Sequence, residues 1–177
     1  MHVVSINTSP GGIPKLPHDS CMVTTAGLLG DGHNHEKHRS PNQAVSMLDL
    51  EILEAIKAEG HNLVPGALGE NLTLSGAAIQ MCALGDRLIF PSGLELEISK
   101  VRNPCYVLDQ ISTELKRTMW NRLGIYARVM KEGLVQQGDE FEVIREGEGL
   151  RPAVREVPEG CVDGTTFARA LFAESIS

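Results

Sequence analysis

Turn-forming residues divide this chain into short segments, and this division restricts the fold more than any other feature of the sequence. Eighteen glycines and nine prolines interrupt the apolar runs along 177 residues. Glycine and proline are the strongest local breakers of regular structure. The apolar runs between them have the length of strands and are too short for long helices. The sequence therefore predicts a mostly β fold.

Apolar alternation between these turns predicts eight strands and one clear helix. The predicted strands cover residues 2–7, 20–25, 44–48, 71–74, 87–90, 94–101, 124–130 and 139–144. Asp49 is predicted to supply the N-cap of a helix that Gly60 ends, because the apolar residues between them have helical spacing. Residues 109–123 are predicted to be helical or irregular. Many short strands with one or two short helices indicate an α+β fold, mostly β, built on an antiparallel β-barrel.

The character of the sequence changes after Ile144. Residues 145–160 are rich in charged residues, proline and glycine, which is typical of a linker or surface arm. A short helix is predicted near the end, over residues 165–175. We therefore expect one domain over residues 1–144 and a C-terminal extension over residues 145–177.

Charge and hydropathy exclude several classes of function. The formal net charge of −7 argues against nucleic acid as the main partner, since phosphate binding requires clustered lysine and arginine. No apolar run approaches the roughly 20 residues that span a bilayer, and the N-terminus lacks the pattern of a signal peptide. The four cysteines show no CxxC spacing, so we expect reduced thiols in a cytoplasmic protein without a membrane partner.

Three histidines lie close together in a polar segment, at positions 33, 35 and 38. Neutral imidazole is a common zinc ligand, so the spacing is compatible with a metal site. A solvated polar loop and a loop that contacts a ligand are the two alternatives. The residues alone leave all three open.

Two further motifs carry candidate chemistry. Gly66 and Gly69 allow a close backbone approach before Glu70 and Asn71, which offer an acceptor and an amide to a heterocycle. The alternative is that these two side chains only tie the turn to its neighbours.

The second motif surrounds Cys105. Pro104 breaks the preceding strand, so Cys105 is expected in a loop, and Arg102 is near enough in sequence to favour the thiolate. A buried structural thiol is the alternative.

Taken together and in this order, the motifs of the chain resemble the MOSC domain, which takes its name from the C-terminal domain of molybdenum cofactor sulfurases. The resemblance covers about residues 2–144. In chain order the matching segments are Ser9–Lys15, Gly27–His33, His38 with Arg39, Gly66–Thr73, Gly85 with Asp86, Pro104 with Cys105, Gly124–Val129 and Gly138 with Asp139.

The resemblance implies a mostly antiparallel barrel with a pocket for the pyranopterin molybdenum cofactor, or for sulfur on its way to such a centre. In the reductases of the family, a cysteine matching Cys105 binds molybdenum through its thiolate. In the sulfur-transfer branch, this cysteine is proposed to carry a persulfide. Soft thiolate suits both roles.

The resemblance also implies roles for other residues. Lys15 and Arg39 match basic positions near the cofactor's phosphate, and Asn71 matches an amide on the pterin side. The remaining predicted cofactor-binding residues are His33 and His38 at the pocket mouth, Gly69, Glu70 and Thr73 beside Asn71, and Arg102 and Arg128 for the anionic ligand.

Two functions follow as expectations. The first is a molybdenum-dependent reductase of N-hydroxylated compounds that receives electrons from an external protein. The second is a carrier of persulfide, or a module that delivers the cofactor. A third hypothesis is zinc-dependent hydrolysis at a site formed by the three histidines. No aminotransferase-like domain precedes the barrel, so a complete pyridoxal-phosphate sulfurase is not expected.

The expected partners are a small-molecule substrate or cofactor, an electron-donor or sulfur-donor protein, and a second copy in a homodimer.

Overall fold

The structure is a computed structural model of the chain. It describes residues 1–32, 40–146, 159–161, 164, 171 and 172. The three histidines and most of the predicted C-terminal helix lie outside the described residues.

Eleven strands are present in the described part of the chain, arranged in two sheets. In chain order they are β1 (His2–Thr8), β2 (Leu16–His18), β3 (Ser20–Thr24), β4 (Gly27–Leu28), β5 (Val45–Asp49), β6 (Leu72–Ser75), β7 (Arg87–Ile89), β8 (Glu95–Val101), β9 (Ile125–Lys131), β10 (Gly133–Gln136) and β11 (Glu142–Ile144).

The larger sheet has the order β11-β7-β8-β9-β5-β6-β1-β2, and the smaller one has the order β10-β3-β4. Neighbouring strands are antiparallel except β5 and β6, which are parallel. The predicted mostly β, α+β class is thereby confirmed. The predicted barrel is not confirmed, because neither sheet closes on itself.

All eight predicted strands are found, with ends shifted by at most three residues, while β2, β4 and β10 are additional. The strand β10 lies where the sequence predicts only a connection between Gly133 and Gly138. It forms because it pairs with β3, so that Leu134 faces Met22. Gly133 is needed there, since a Cβ at this residue would lie 2.8 Å from the backbone nitrogen of Leu94. Long-range pairing, and not the local pattern, creates this strand.

Two α-helices and three 3₁₀ helices connect the described strands. The α-helices are α1 (Leu50–Ala58) and α2 (Thr113–Thr118), and the 3₁₀ helices cover Pro41–Gln43, Ile79–Met81 and Tyr106–Gln110. None of the helices in the described part of the chain is long and apolar enough to cross a membrane.

Helix α1 ends as the sequence predicts. Gly60 adopts a φ of 103°, which favours glycine. Its N–H donates to the Lys57 carbonyl at 3.0 Å, and the His61 N–H donates to the Ile56 carbonyl at 3.3 Å. These two bonds form a Schellman motif, which satisfies the last carbonyls of the helix.

The start of α1 corrects one prediction. Asp49 occupies the N-cap position, but its side chain does not bond to its own helix. Instead, Oδ1 accepts from the Ile79 N–H at 2.9 Å and Oδ2 from the Gln80 N–H at 3.0 Å. The predicted cap is therefore wrong in function, because the fully buried carboxylate satisfies two N–H groups of a distant 3₁₀ turn.

The apolar residues form two clusters. The first is shared by the two sheets and includes Val23 of β3 and Leu96 of β8. The second lies between α1 and α2 and includes Ile52 and Leu115. Three of its members, Leu68, Leu108 and Leu123, also line the cavity described below. The second cluster therefore forms part of the cavity wall.

The C-terminal extension contacts this second cluster. Phe172 is buried within it, and the Gly164 N–H donates to the Trp120 carbonyl at 2.8 Å. Strand β11 ends at Ile144, which is the predicted end of the domain. The division into a domain and an extension stays a prediction.

Candidate active site

A cavity of about 250 Å³ lies where several segments of the chain meet. The loop after β1, the start of β5, the turn before β6 and the loop after β8 each contribute to its wall. Five of the predicted site residues line it, and they are Lys15, Gly69, Asn71, Arg102 and Cys105.

Cys105 presents an exposed thiol at this cavity. Strand β8 ends at Val101, and Pro104 prevents further strand pairing, as the sequence predicts. The carbonyl of Cys105 accepts from the Leu108 N–H at 3.1 Å, which fixes the residue at the start of a 3₁₀ turn. Cys82 shows the contrast, since it is fully buried and burial raises the pKa of its thiol to about 12.

Arg102 is a buried cation on the same wall. Its guanidinium donates to the Leu68 carbonyl at 2.5 Å and to the Leu123 carbonyl at 3.4 Å, and it lies 6.0 Å from the centre of the Tyr126 ring. It forms no salt bridge within the described ranges. Carbonyl groups accept its hydrogen bonds, the buried Glu70 carboxyl acts on it from a longer distance, and no described carboxylate lies within salt-bridge distance. This charge is therefore available to an anion in the cavity.

Lys15 is also on the wall, but its charge is already matched. Its ammonium group forms a salt bridge with the Asp31 carboxylate. Burial lowers the pKa of Lys15, and the opposing effect of Asp31 is smaller. The backbone N–H of Lys15 donates to the Gly66 carbonyl at 2.9 Å. Gly66 is required, because a Cβ there would lie 2.4 Å from the Lys15 carbonyl oxygen.

Asp31 is a site residue that the sequence alone does not single out, although it stands in the Gly27–His33 motif. Its side chain is 1% exposed. Besides the Lys15 ammonium, it accepts from the Ser9 N–H at 3.0 Å and from Asn71 Nδ2 at 2.8 Å. The presence of a lysine and an amide within reach is a property of the fold, so no local pattern reveals it.

Asn71 joins several elements of the site. Its Oδ1 accepts from the Ser46 N–H at 3.1 Å and from Ser46 Oγ at 2.9 Å. Its Nδ2 donates to the Asn7 carbonyl at 3.2 Å as well as to Asp31. An amide has two donors and two acceptor positions, and all four are used here. The Asn71 side chain therefore holds Asp31 in place and has no donor or acceptor position left for a ligand.

Glu70 and Thr73 lie beneath the cavity and not on its wall. Glu70 Oε1 accepts from the Gly66 N–H at 2.7 Å and from Thr73 Oγ1 at 3.1 Å. Burial raises the pKa of the Glu70 carboxyl. These bonds fit the alternative in which Glu70 ties the turn to its neighbours.

Gly69 provides a close approach at the cavity. Its φ is 81°, and a Cβ there would lie 2.7 Å from Ile13 Cγ2 and 3.3 Å from Arg102 Nη2. Any side chain at this position would displace the Arg102 guanidinium or fill the cavity.

The remaining predicted residues are placed elsewhere. Arg128 lies on β9 outside the cavity wall, with its side chain 46% exposed and bonded to Glu97 at 2.6 Å. His33, His38 and Arg39 lie outside the described residues, as does His35 of the zinc alternative. Within the residues that are described, no group of three histidine, cysteine, aspartate or glutamate side chains is arranged to hold a metal ion.

Comparison with known proteins places this geometry in a family. The family model of the MOSC domain matches residues 34–142. The chain belongs to the MOSC domain family. A curated relative from Gibberella moniliformis, named "Reductase", is 30% identical over 75% of this MOSC chain and 25% of its own length. The protein YflK of Bacillus subtilis is 29% identical over 77% of this chain and 65% of its own. The chain thus spans less than two thirds of each of these relatives.

Solved structures share the fold. YiiM from Geobacillus stearothermophilus superposes with a TM-score of 0.68 and 22% identity, covering 98% of this chain and 83% of that one. YuaD from Bacillus subtilis superposes with a TM-score of 0.65 and 24% identity, covering 80% of this chain and 92% of that one. At this level of identity the likeness concerns the fold alone.

Proposed function

We propose that this MOSC domain protein binds the pyranopterin molybdenum cofactor in the cavity and reduces N-hydroxylated compounds there. One observation carries the proposal. The exposed thiol of Cys105 and the guanidinium of Arg102, which forms no salt bridge in the described structure, lie on the wall of the same cavity.

The chemistry of these two groups fits the cofactor. A thiolate is the soft ligand that suits molybdenum, and Cys105 is the cysteine on the cavity wall among the described residues. The cofactor carries a phosphate, and a rigid guanidinium is well suited to bind one. Gly69 lets the Arg102 guanidinium and Ile13 pack close to the backbone, since a Cβ there would meet Arg102 Nη2 at 3.3 Å and Ile13 Cγ2 at 2.7 Å.

Each residue then has a defined task. When bound, the cofactor supplies the oxidation–reduction chemistry. Cys105 holds the metal, Arg102 binds the anionic part, and the apolar side chains Leu68, Leu108 and Leu123 restrict the access of water to that side of the cavity. Two electrons, which an external donor protein provides, and two protons convert the N–OH group into N–H and water.

The comparisons support this choice of reaction. The fungal relative that is 30% identical to this chain bears the name "Reductase". The chain matches only a quarter of that protein's length, so the specific substrate and the electron donor remain part of the proposal.

A test of the proposal uses three proteins made in a host that produces the molybdenum cofactor: wild type, Cys105→Ser and, as a matched control, Cys21→Ser. Cys21 is also a partly exposed thiol but does not line the cavity. Reduction of a hydroxylaminopurine and of an amidoxime is followed with a reduced viologen dye as the electron donor. We expect activity in the wild type and the control and its loss in Cys105→Ser. Full activity in Cys105→Ser would contradict the proposal.

The exposure of Cys105 also favours a second function, the transfer of sulfur as a persulfide. An exposed thiolate attacks and releases sulfane sulfur readily. Incubation with a cysteine desulfurase, followed by mass spectrometry of the peptide that contains Cys105, distinguishes the persulfide carrier from the reductase. Sulfane sulfur on Cys105, together with no reduction by the wild type, would favour the carrier.

A further inference from the structure

Reduction of an N-hydroxylated compound needs a source of protons in the cavity. The N–O bond breaks, the hydroxyl oxygen takes up one proton and leaves as water, and the nitrogen takes up a second proton, from water, to form an N–H bond. The two electrons come from the external donor protein. A positioned acid at the leaving oxygen accelerates such a step.

The described wall of the cavity offers few candidates for this acid. Its titratable residues are Lys15, Arg102, Cys105, Tyr106 and Tyr126. Arginine does not lose its proton in proteins, and the Tyr126 ring packs against the Arg102 guanidinium at 6.0 Å from the ring centre. Cys105 is already assigned to the metal. Among the described residues of the wall, Lys15 is an acid whose position a neighbouring carboxylate fixes.

The geometry of Lys15 suits this task. Of the described residues, Asp31 is the acceptor for its ammonium group. An ammonium group has three N–H donors, so two remain for a ligand. The Asp31 carboxylate is fixed in turn by the Ser9 N–H at 3.0 Å and by Asn71 Nδ2 at 2.8 Å, which keeps the ammonium group at one place on the wall.

The charge of the pair argues against a role for Lys15 as a phosphate anchor. An anion that approaches Lys15 meets the Asp31 carboxylate at the same point, whereas Arg102 has only carbonyl partners. Burial lowers the pKa of Lys15, which makes the ammonium group a better acid. Asp31 and Glu70 oppose this change and Arg102 adds to it, so these three charged groups tune the acidity.

We propose that Lys15 is the general acid of this cavity, and that it gives a proton to the leaving oxygen of the N-hydroxylated substrate while Asp31 acts as its positioning residue. The inference rests on the proposed reductase function. A Lys15 N–H bond breaks as the O–H bond forms, and the neutral amine regains a proton from water at the open side of the cavity.

The test compares the pH dependence of kcat in wild type, Lys15→Arg and Asp31→Asn, with Lys57→Arg on the exposed side of α1 as the control. Arginine keeps the positive charge but does not release its proton. We expect Lys15→Arg to lower kcat about 100-fold with an unchanged molybdenum content, and Lys57→Arg to match the wild type. In Asp31→Asn the loss of the counter-charge lowers the pKa of Lys15 further, so the decrease of kcat with rising pH moves to lower pH.

A second readout does not depend on activity. NMR titration of lysine labelled with ¹³C at Cε reports the pKa of each side chain. We expect the Lys15 signal to titrate below the ordinary value of a lysine side chain, and lower still in Asp31→Asn.

These experiments test the acid role of Lys15 separately from the reductase function. If wild type with bound molybdenum reduces no N-hydroxylated compound, the reductase function and the acid role are both wrong. If wild type is active and Lys15→Arg retains its rate and pH profile, or loses its molybdenum, the acid role alone fails and Lys15 is an anchor. A Lys15 signal that titrates at or above the ordinary value of a lysine side chain would also overturn the acid role.

Discussion

The two cations on the cavity wall are held by different kinds of partners. The Lys15 ammonium group pairs with the oppositely charged Asp31 carboxylate, and both side chains are nearly buried. Arg102 is also buried, but its guanidinium donates to two backbone carbonyls. Carbonyl groups fix a guanidinium without neutralising it. The comparison indicates that the position of a cation in a cavity does not define its task, because the charge of its partner decides whether it attracts an anion.

The largest expected effect follows from breaking the Lys15 pair. Asp31→Ala leaves the buried ammonium group without its counter-charge, and removal of one partner of such a pair costs about 3 kcal/mol of unfolding free energy. Urea denaturation measures this loss. The double variant Lys15→Met with Asp31→Ala removes both charges, so we expect it to recover much of the loss. A double variant as unstable as Asp31→Ala would show that the charge of Lys15 is not the cause.

The Arg102 side is expected to affect binding more than stability. Arg102→Met leaves two carbonyl groups without donors, at a cost of about 2 kcal/mol, and removes the uncompensated charge. Calorimetric titration with inorganic phosphate should show weaker binding in Arg102→Met and unchanged binding in Lys15→Arg. Phosphate binding that is equal in wild type and Arg102→Met would contradict the assignment of Arg102 as the anchor.

Asp49 is the anionic counterpart of Arg102, because both are buried charged groups that bond to the backbone. Its carboxylate accepts from two backbone N–H groups and has no cation among its described hydrogen-bond partners. Burial raises its pKa from 3.8 to about 7. The folded state therefore binds more protons than the unfolded state between these values, and stability falls as pH rises through this window.

Substitution of Asp49 tests the predicted decrease of stability with rising pH. Asp49→Asn removes the titration, so the decrease of stability between pH 3.8 and about 7 should become smaller. The variant also loses one of the two hydrogen bonds that the ionised carboxylate accepts, which costs about 1 kcal/mol at the upper end of the window. Urea denaturation across that range measures both effects. An unchanged pH slope in the variant would assign the slope to other groups.

The smallest effect is expected for Arg128, the cation outside the cavity. Its half-exposed side chain pairs with Glu97 on the neighbouring strand. Exposed ion pairs contribute less than about 1 kcal/mol, so Arg128→Met should barely change stability. Molybdenum content and phosphate binding should equal those of the wild type. A loss of either would place Arg128 in the site.

Much of the fold is predictable from the sequence, because the predicted strands depend on local alternation and on turns that glycine forms. The helix end at Gly60 is predictable for the same reason. The strand β10 and the real partners of Asp49 are not, since both depend on segments far away in the chain. Closure of the sheets into a barrel likewise depends on long-range pairing.

The site shows the same division. The exposure of Cys105 follows from Pro104, which is visible in the sequence. The pairing of Lys15 with Asp31 is not visible there, because the two residues stand in different motifs and meet only through the turns that contain Gly66 and Ser9. For the same reason, the sequence does not reveal that the Asn71 amide is fully used within the protein.

The central claim is that the cavity holds molybdenum through Cys105. Elemental mass spectrometry of wild type, Cys105→Ser and Cys21→Ser, purified from a host that makes the cofactor, tests it most directly. We expect about one molybdenum per chain in wild type and Cys21→Ser, and a large loss in Cys105→Ser, because serine is a poor ligand for a soft metal centre. Equal molybdenum in all three proteins, or none in wild type when a known molybdoenzyme from the same host is loaded, would contradict it.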